Sequence, residues 1–350
     1  MNVLKRIFIL FLIFNLIFVS KVQAEATFND INGDGTGFDV SAQDTTPRGI
    51  AFNNDGTKMF VVGDTDNDIN EYTLSTAFDL STATFNDING DGSGFDISGQ
   101  DTTPQYIKFN NDGTKMFVIG NTGDDINSYT LSTGFDLTTA TFNDINGDGT
   151  GFDVSAQDDK TRGIAFNNDG TIMYYIGNTD NEIYVYTLST GFDLTTATFN
   201  DINGDGTGFD ITDQDGVPRG LTFNNDGTKM FVVGDNGNEI NSYTLSVGFD
   251  LTSTVTHVGS FDISSQATNP QGIAFNITGT KMFVVSNDGD DINEYTLSCA
   301  FKVTSSGKCE EPPKIKDVRG INDAQINTAK KFAEDTRVAT FKRLDILRAN

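Results

Sequence analysis

Apolar residues in this chain fall in short runs of Phe, Val, Ile and Tyr separated by Asn/Asp/Gly clusters, with no helical period among them. The run from Gly49 to Phe52 predicts a first strand, ended by Asn53-Asn54-Asp55-Gly56, where glycine supplies the positive φ of a tight hairpin. Lys58 to Val62 predicts a second strand, and its unbroken apolar run implies burial on both faces. An acidic loop from Asp64 to Asp68 leads to a third strand at Ile69 to Leu74. The fourth is predicted in two pieces, Thr84-Phe85 and Phe95 to Ile97, with an acidic glycine loop set between them.

This pattern returns every 57 residues: Phe52, Phe109, Phe166 and Phe223 are equivalent, and Phe275 follows after 52. A fixed period of this size marks an array of supersecondary units that cannot bury their apolar faces alone. Four antiparallel strands in a unit of about fifty residues describe a propeller blade. A parallel solenoid prefers shorter rungs, and independent sandwiches need longer units. From Ala26 the chain opens with what is a fourth strand elsewhere (Thr27 to Val40), whereas the last unit, Pro270 to Phe301, holds only three. The opening strand is therefore expected to complete the last blade. The fold predicted over residues 25–301 is an all-β, five-bladed β-propeller closed by an N-terminal strand.

The stretch Gly49-Ile50-Ala51-Phe52-Asn53-Asn54-Asp55-Gly56-Thr57-Lys58-Met59-Phe60-Val61-Val62 resembles the YVTN-type propeller repeat, and the repeats resemble propellers of exported bacterial surface proteins. The resemblance covers residues 26–301 and implies the fold; propellers host unrelated functions, so it implies no one activity.

Residues 1–24 read as a secretory signal peptide: Lys5 and Arg6, an apolar run from Ile7 to Val19, and small residues at Val22-Gln23-Ala24. The apolar run is short for a bilayer span of about 20 residues. The expected location is extracellular, cell-surface or periplasmic. Residues 302–321 read as a linker and 322–350 as a helical tail, with Ile326, Phe332, Phe341, Leu344 and Leu347 on an irregular apolar face; any membrane contact is expected only through this tail. Two readings stand for Cys299 and Cys309, a disulfide clamping the end of the array or two free thiols; export permits the first.

Charge sharpens the picture. The chain carries −26; with Lys5, Arg6, Lys21 and the tail's surplus of +4 set aside, the repeats hold −33. Such a field repels nucleic acid and favours cations and solubility.

The loop Asp30-Ile31-Asn32-Gly33-Asp34-Gly35-Thr36-Gly37-Phe38-Asp39 recurs at 87–96, 144–153 and 201–210. Its D-x-N-x-D-G spacing is similar to calcium loops of integrin-like propeller repeats and to the start of an EF-hand loop. By that resemblance Ca²⁺ would be held by Asp30, Asn32, Asp34, Thr36 (through its carbonyl) and Asp39. The later copies would use Asp87, Asn89, Asp91 and Asp96; Asp144, Asn146, Asp148 and Asp153; and Asp201, Asn203, Asp205 and Asp210. The closing Asp lies one place later than in the integrin-like loops, and Ser41 stands where an EF-hand has its Glu. The competing reading is that these residues are turn formers and that acids on an outer strand deter edge pairing. The fifth copy, Val255 to Asp262, lacks five loop residues yet keeps the strand.

Arg48, Gln105, Arg162, Arg219 and Gln271 begin the first strands, which line the channel of a propeller, so they are candidate ligand-binding residues for a carboxylate or a sugar. The competing reading pairs each Arg with an Asp of its own loop, such as Asp44 or Asp158. His257, the single histidine, reads as a surface substitution, and Asn276-Ile277-Thr278 as a chance sequon. Close repetition multiplies each group and differentiates none, so no catalytic residues and no enzymatic activity are expected. The function expected is a secreted or cell-surface multivalent binding module contacting protein or glycan, with calcium as a candidate stabilising ion; the alternative is a carbohydrate-binding, lectin-like propeller, and a propeller hydrolase ranks behind both.

Overall fold

The computed structural model describes residues 26–304 and Cys309. The segments expected to form a signal peptide (1–24) and a helical tail (322–350), and most of the expected linker (302–321), lie outside the described residues.

Five antiparallel sheets follow one plan. In the first, Pro47–Phe52, Lys58–Gly63, Asp68–Leu74 and Ala83–Phe85 lie in spatial order, and Phe95–Asp96 pairs back onto the third strand. The next sheets begin with Pro104–Phe109, Thr161–Phe166 and Pro218–Phe223. In the sheet begun by Pro218–Phe223 the acidic loop is missing, and Val255–Asp262 runs as one outer strand. The loop is thus an insertion that the blade does not require.

The first strands are neighbours around a closed ring, Pro270–Phe275 returning to Pro47–Phe52. Closure is made by the N-terminus: Ala26 pairs with Leu297 and Phe28 with Tyr295, and Phe38–Asp39 continues along the same strand opposite Ile292 and Asp291. The architecture is the all-β five-bladed propeller. Cys299 and Cys309 are disulfide-bonded, with Cα atoms 5.3 Å apart.

The core lies between blades. Each second strand buries every residue after its first, as its unbroken apolar run requires. An aromatic on each second strand meets the phenylalanine ending the next first strand. The pairs are Phe60–Phe109, Phe117–Phe166, Tyr174–Phe223, Phe231–Phe275 and Phe283–Phe52, with ring centroids 4.6 to 4.8 Å apart. Such pairs add about 0.5–1.5 kcal/mol each beyond the area they bury.

Three single 3₁₀ turns, Leu80–Thr82, Leu137–Thr139 and Leu194–Thr196, depart from the strand-only expectation. Asp79, Asp136 and Asp193 cap them by accepting the N–H of the residue two places on. One turn is too short to print a helical period, so the apolar pattern does not show it.

Candidate functional site

Each first strand carries a register shift at its second residue: Pro47 faces Gly63, but Gly49 already faces Val62. The same irregularity falls at Gln105, Arg162, Arg219 and Gln271. Bulges of this kind re-aim a side chain, here at one mouth of the channel. The arginines do not pair with Asp44 or Asp158. Arg48 instead grips Asp64 through Nε (3.0 Å) and Nη2 (2.7 Å), and Arg219 grips Asp235 in the same way. These aspartates follow the second strand, a position whose reach back to the bulge only the hairpin register reveals.

Arg162 differs. Asn178 stands where its neighbours have Asp64 and Asp235, and the Arg162 Nε is buried with no hydrogen-bond partner. One Nη donates to the carbonyl of Thr161 at 3.1 Å. Burial first, and then repulsion from Arg219 and Arg48, brings its guanidinium down to about 10. Gln105 and Gln271 turn back on Thr103 and Asn269. The mouth therefore holds two ion pairs and one arginine with no ion-pair partner among the described residues.

Below this mouth the channel is blocked. The positions equivalent to Gly49 hold Gly163, Gly220, Gly272 and, once, Tyr106. Tyr106 is 2% exposed and crosses the axis to donate its hydroxyl to the carbonyl of Ile273 at 2.5 Å. A Cβ on Gly49 would stand 2.7 Å from the Tyr106 Cα. The glycines thus let the strands close around a single aromatic plug. Beyond the plug lies a cavity of about 270 Å³, lined by the phenylalanines that end the first strands and by the Asn-Asn turns. The row facing it reads Ala51, Lys108, Ala165, Thr222, Ala274. Lys108 has no hydrogen-bond or ion-pair partner among the described residues, and burial holds its ammonium below the usual range. Both Tyr106 and Lys108 were missed in the sequence. Their signal was present as the two places where Pro104-Gln105-Tyr106-Ile107-Lys108-Phe109 departs from Pro47-Arg48-Gly49-Ile50-Ala51-Phe52.

The acidic loops sit away from the channel, on the outer strands. Asp30 Oδ1 accepts the N–H of Gly33 (2.7 Å) and of Gly35 (3.1 Å). Asp34 accepts from the Thr36 N–H and hydroxyl, and Asp39 from the Ser41 N–H. Asn32 donates to the Gly37 carbonyl at 2.6 Å. Asp87, Asp144 and Asp201 accept the N–H of Gly90, Gly147 and Gly204, and Asn89, Asn146 and Asn203 donate to Gly94, Gly151 and Gly208. Asp91, Asp148 and Asp205 bond the hydroxyls of Ser93, Thr150 and Thr207, while Asp96, Asp153 and Asp210 hold the N–H of Ser98, Ser155 and Thr212. Each loop is latched to its blade by a third-strand acid: Asp291, Asp68 and Asp125 accept from Gly37, Gly94 and Gly151, and Glu182 from Gly208. These carboxylates answer backbone donors and do not converge. Among the described residues no group of three or more His, Cys, Asp or Glu is placed to hold a metal ion, so the residues as placed do not fit the calcium shell that the resemblance implied.

His257 sits on Tyr243 with ring centroids 5.3 Å apart and its Nε2 is 3.1 Å from Asn241 Oδ1. The Asn276 carboxamide is engaged inside its own turn, bonding Thr280 and Lys281.

No known family matches this chain, and no curated protein does. Neither the YVTN-type nor the integrin-like resemblance therefore gains support from relatives. Solved structures of similar shape include the nidogen/laminin complex (13% identity, 70% of this chain and 78% of that one, TM-score 0.40). A luciferin-regenerating enzyme is similar at 12% identity over 78% of this chain and 98% of its own, TM-score 0.44. Regucalcin from Agrobacterium tumefaciens, a calcium-binding protein, is similar at 12% identity over 75% and 91%, TM-score 0.45. These values carry neither ligand nor activity across. They do correct one expectation: catalysis was excluded from the sequence, yet chains of similar shape include an enzyme. The premise of that exclusion also fails physically, because Tyr106, Lys108 and Arg162 make the channel positions unequal.

Proposed function

We propose that the protein is an exported binding module whose disc takes an anionic group of a surface protein or glycan at its arginine mouth. The observation that carries this reading is Arg162, an arginine whose carboxylate partner is replaced by Asn178 while Arg48 and Arg219 keep theirs. A desolvated guanidinium without a counter-charge is stabilised by a ligand carboxylate in a charge-assisted pair. The surrounding field of −33 in the repeats repels polyanions and so selects a lone anionic group. Stacking of sugar rings on the outer surface has less support: the exposed large apolar residues among those described are Val247, Val258 and Ile277, none of them aromatic.

A second reading, multivalent contact through the rim, is favoured by the four like acidic loops, whose exposed tips repeat around the disc.

The test is paired ligands: sialyl-lactose against lactose, and a peptide with a free C-terminus against its amide, titrated into wild type and Arg162→Gln. Saturable binding of the charged member alone, lost in Arg162→Gln, supports the arginine mouth. Equal binding of both members, or an unaffected variant, overturns it. Binding lost only when the rim loops are shortened assigns the function to the rim.

A further inference from the structure

The cavity on the far side of Tyr106 is a separate compartment with its own chemistry. Its lining holds no carboxylate, no histidine and no arginine; Lys108 is its one cation, and Tyr106 its one other titratable group, kept protonated by burial. In a protein whose repeats hold −33, a cationic pocket without counter-charge is an anomaly. It is also a local one, because the other blades place Ala51, Ala165, Thr222 and Ala274 at that level.

The rim of the cavity supplies the second element. The Asn54 carboxamide donates to the carbonyl of Asn111, Asn111 to Asn168, Asn168 to Asn225, and Asn225 to Ile277, at 2.5 to 2.8 Å. These bonds fix four amides in a chain around the mouth. They use the Nδ2 donors and leave the four Oδ1 acceptors with no donor among the described residues. Acceptors of fixed direction select ligand hydroxyls. Phenylalanines such as Phe52 and Phe223 supply apolar walls for C–H faces.

We propose that this cavity binds one small hydroxylated carboxylate, a sugar acid, with its carboxylate on Lys108 and its hydroxyls on the asparagine ring. A single ammonium, with no second cation in the lining, suits a carboxylate better than a phosphate dianion. The volume is that of on the order of nine waters, room for a hexose-sized acid and not for an oligosaccharide. Tyr106 closes the inner end, so the ligand enters between the Asn turns. Half-burying Lys108 without an ion-pair partner carries a desolvation cost, and a ligand carboxylate offsets it.

The experiment is calorimetric titration of the intact protein with galacturonate, galactose, acetate and a galacturonate trimer. One-to-one binding of galacturonate is expected, with galactose and acetate each at least tenfold weaker and the trimer excluded. Lys108→Ala, which copies the residue of three other blades, should lose at least tenfold in affinity. Binding of the trimer as tight as the monomer would reassign the ligand to the end of a polysaccharide. Absence of binding by every acid, or equal affinity in Lys108→Ala, overturns the proposal. Acetylation of wild type, read peptide by peptide, gives a measure that does not depend on the variant folding: galacturonate should protect Lys108 and leave Lys58 and Lys115 unprotected, and failure to protect it counts against the site.

Discussion

The hydroxyl of Tyr174 donates to the backbone carbonyl of Phe249 in the next blade. Elsewhere the same carbonyl is served by a lysine: Lys58 reaches Phe135, Lys115 reaches Phe192 and Lys281 reaches Phe78, at 2.7 to 2.9 Å. In the exceptional blade Ile172 stands at the lysine position and a tyrosine replaces phenylalanine two residues on. The accepting phenylalanines have positive φ, Phe249 at 61° and Phe78 at 55°, a conformation uncommon for a bulky residue that persists only where its surroundings hold it.

Tyr174→Phe should therefore destabilise the disc by about 1 kcal/mol, because it removes the donor of a part-buried carbonyl. The double variant Ile172→Lys with Tyr174→Phe restores the arrangement of the other blades and should recover most of the loss. Thermal melts of the three proteins check this, and a double variant no better than the single one refutes the substitution of one donor for another.

Asp44 and Gly63 form a second coupled pair. A Cβ on Gly63 would lie 2.2 Å from Asp44 Oδ2, and Gly120, Gly177 and Gly234 face Asp101, Asp158 and Asp215 in the same way. The blade that lacks the aspartate, at Ala267, carries Ser286 where the others have glycine. Gly63→Ala alone should cost about 1–3 kcal/mol through overpacking. Asp44→Ala with Gly63→Ser copies the fifth blade and should be better tolerated than Gly63→Ala, as chemical denaturation will show.

The buried acids make stability depend on pH. Burial pushes Asp68, Asp101, Asp215 and Asp291 up to about 6, against an unfolded value of about 3.9. A carboxyl raised in the folded state contributes fully below its unfolded value, and that contribution is lost as pH rises through about 6. Turn aspartates such as Asp55 and Asp112 are held below the usual range, first by the hydroxyls of Thr57 and Thr114, and act in the opposite sense, losing their contribution as pH falls below about 4. Melting temperature should peak between about pH 4 and 5 and decline toward neutrality. Asp101→Asn should flatten that decline and melt higher than wild type at pH 7.

The outer loops are expected to be dispensable for folding and indifferent to calcium. Removing residues 32–36 mimics the fifth copy and should change stability by less than about 1 kcal/mol, the scale of a surface-loop change. Calcium or a chelator should leave the melting temperature unmoved; a calcium-dependent rise would mean that the loops reorganise around an ion.

Much of this architecture was legible in the chain. The period, the four strands per unit and the closing role of Thr27 to Val40 follow from short apolar runs and turn residues, which act between near neighbours along the sequence. The acidic loops were equally visible, but their motif admits both an ion shell and a self-bonded turn. Only the folded loop separates the two, by turning Asp30 and Asp34 onto backbone N–H groups.

The channel was not legible. Tyr106 and Lys108 sit in a strand that reads like the other first strands, and nothing local distinguishes a plug or a half-buried cation from ordinary variation. Tyr106 meets Ile273 across 167 residues of sequence, and Arg162 lacks its partner only because the hairpin brings Asn178 to the place that Asp64 occupies elsewhere. Local pattern determined the blades. What faces the axis was decided by ring closure, which brings five distant strands within contact and leaves their unequal side chains to share one space.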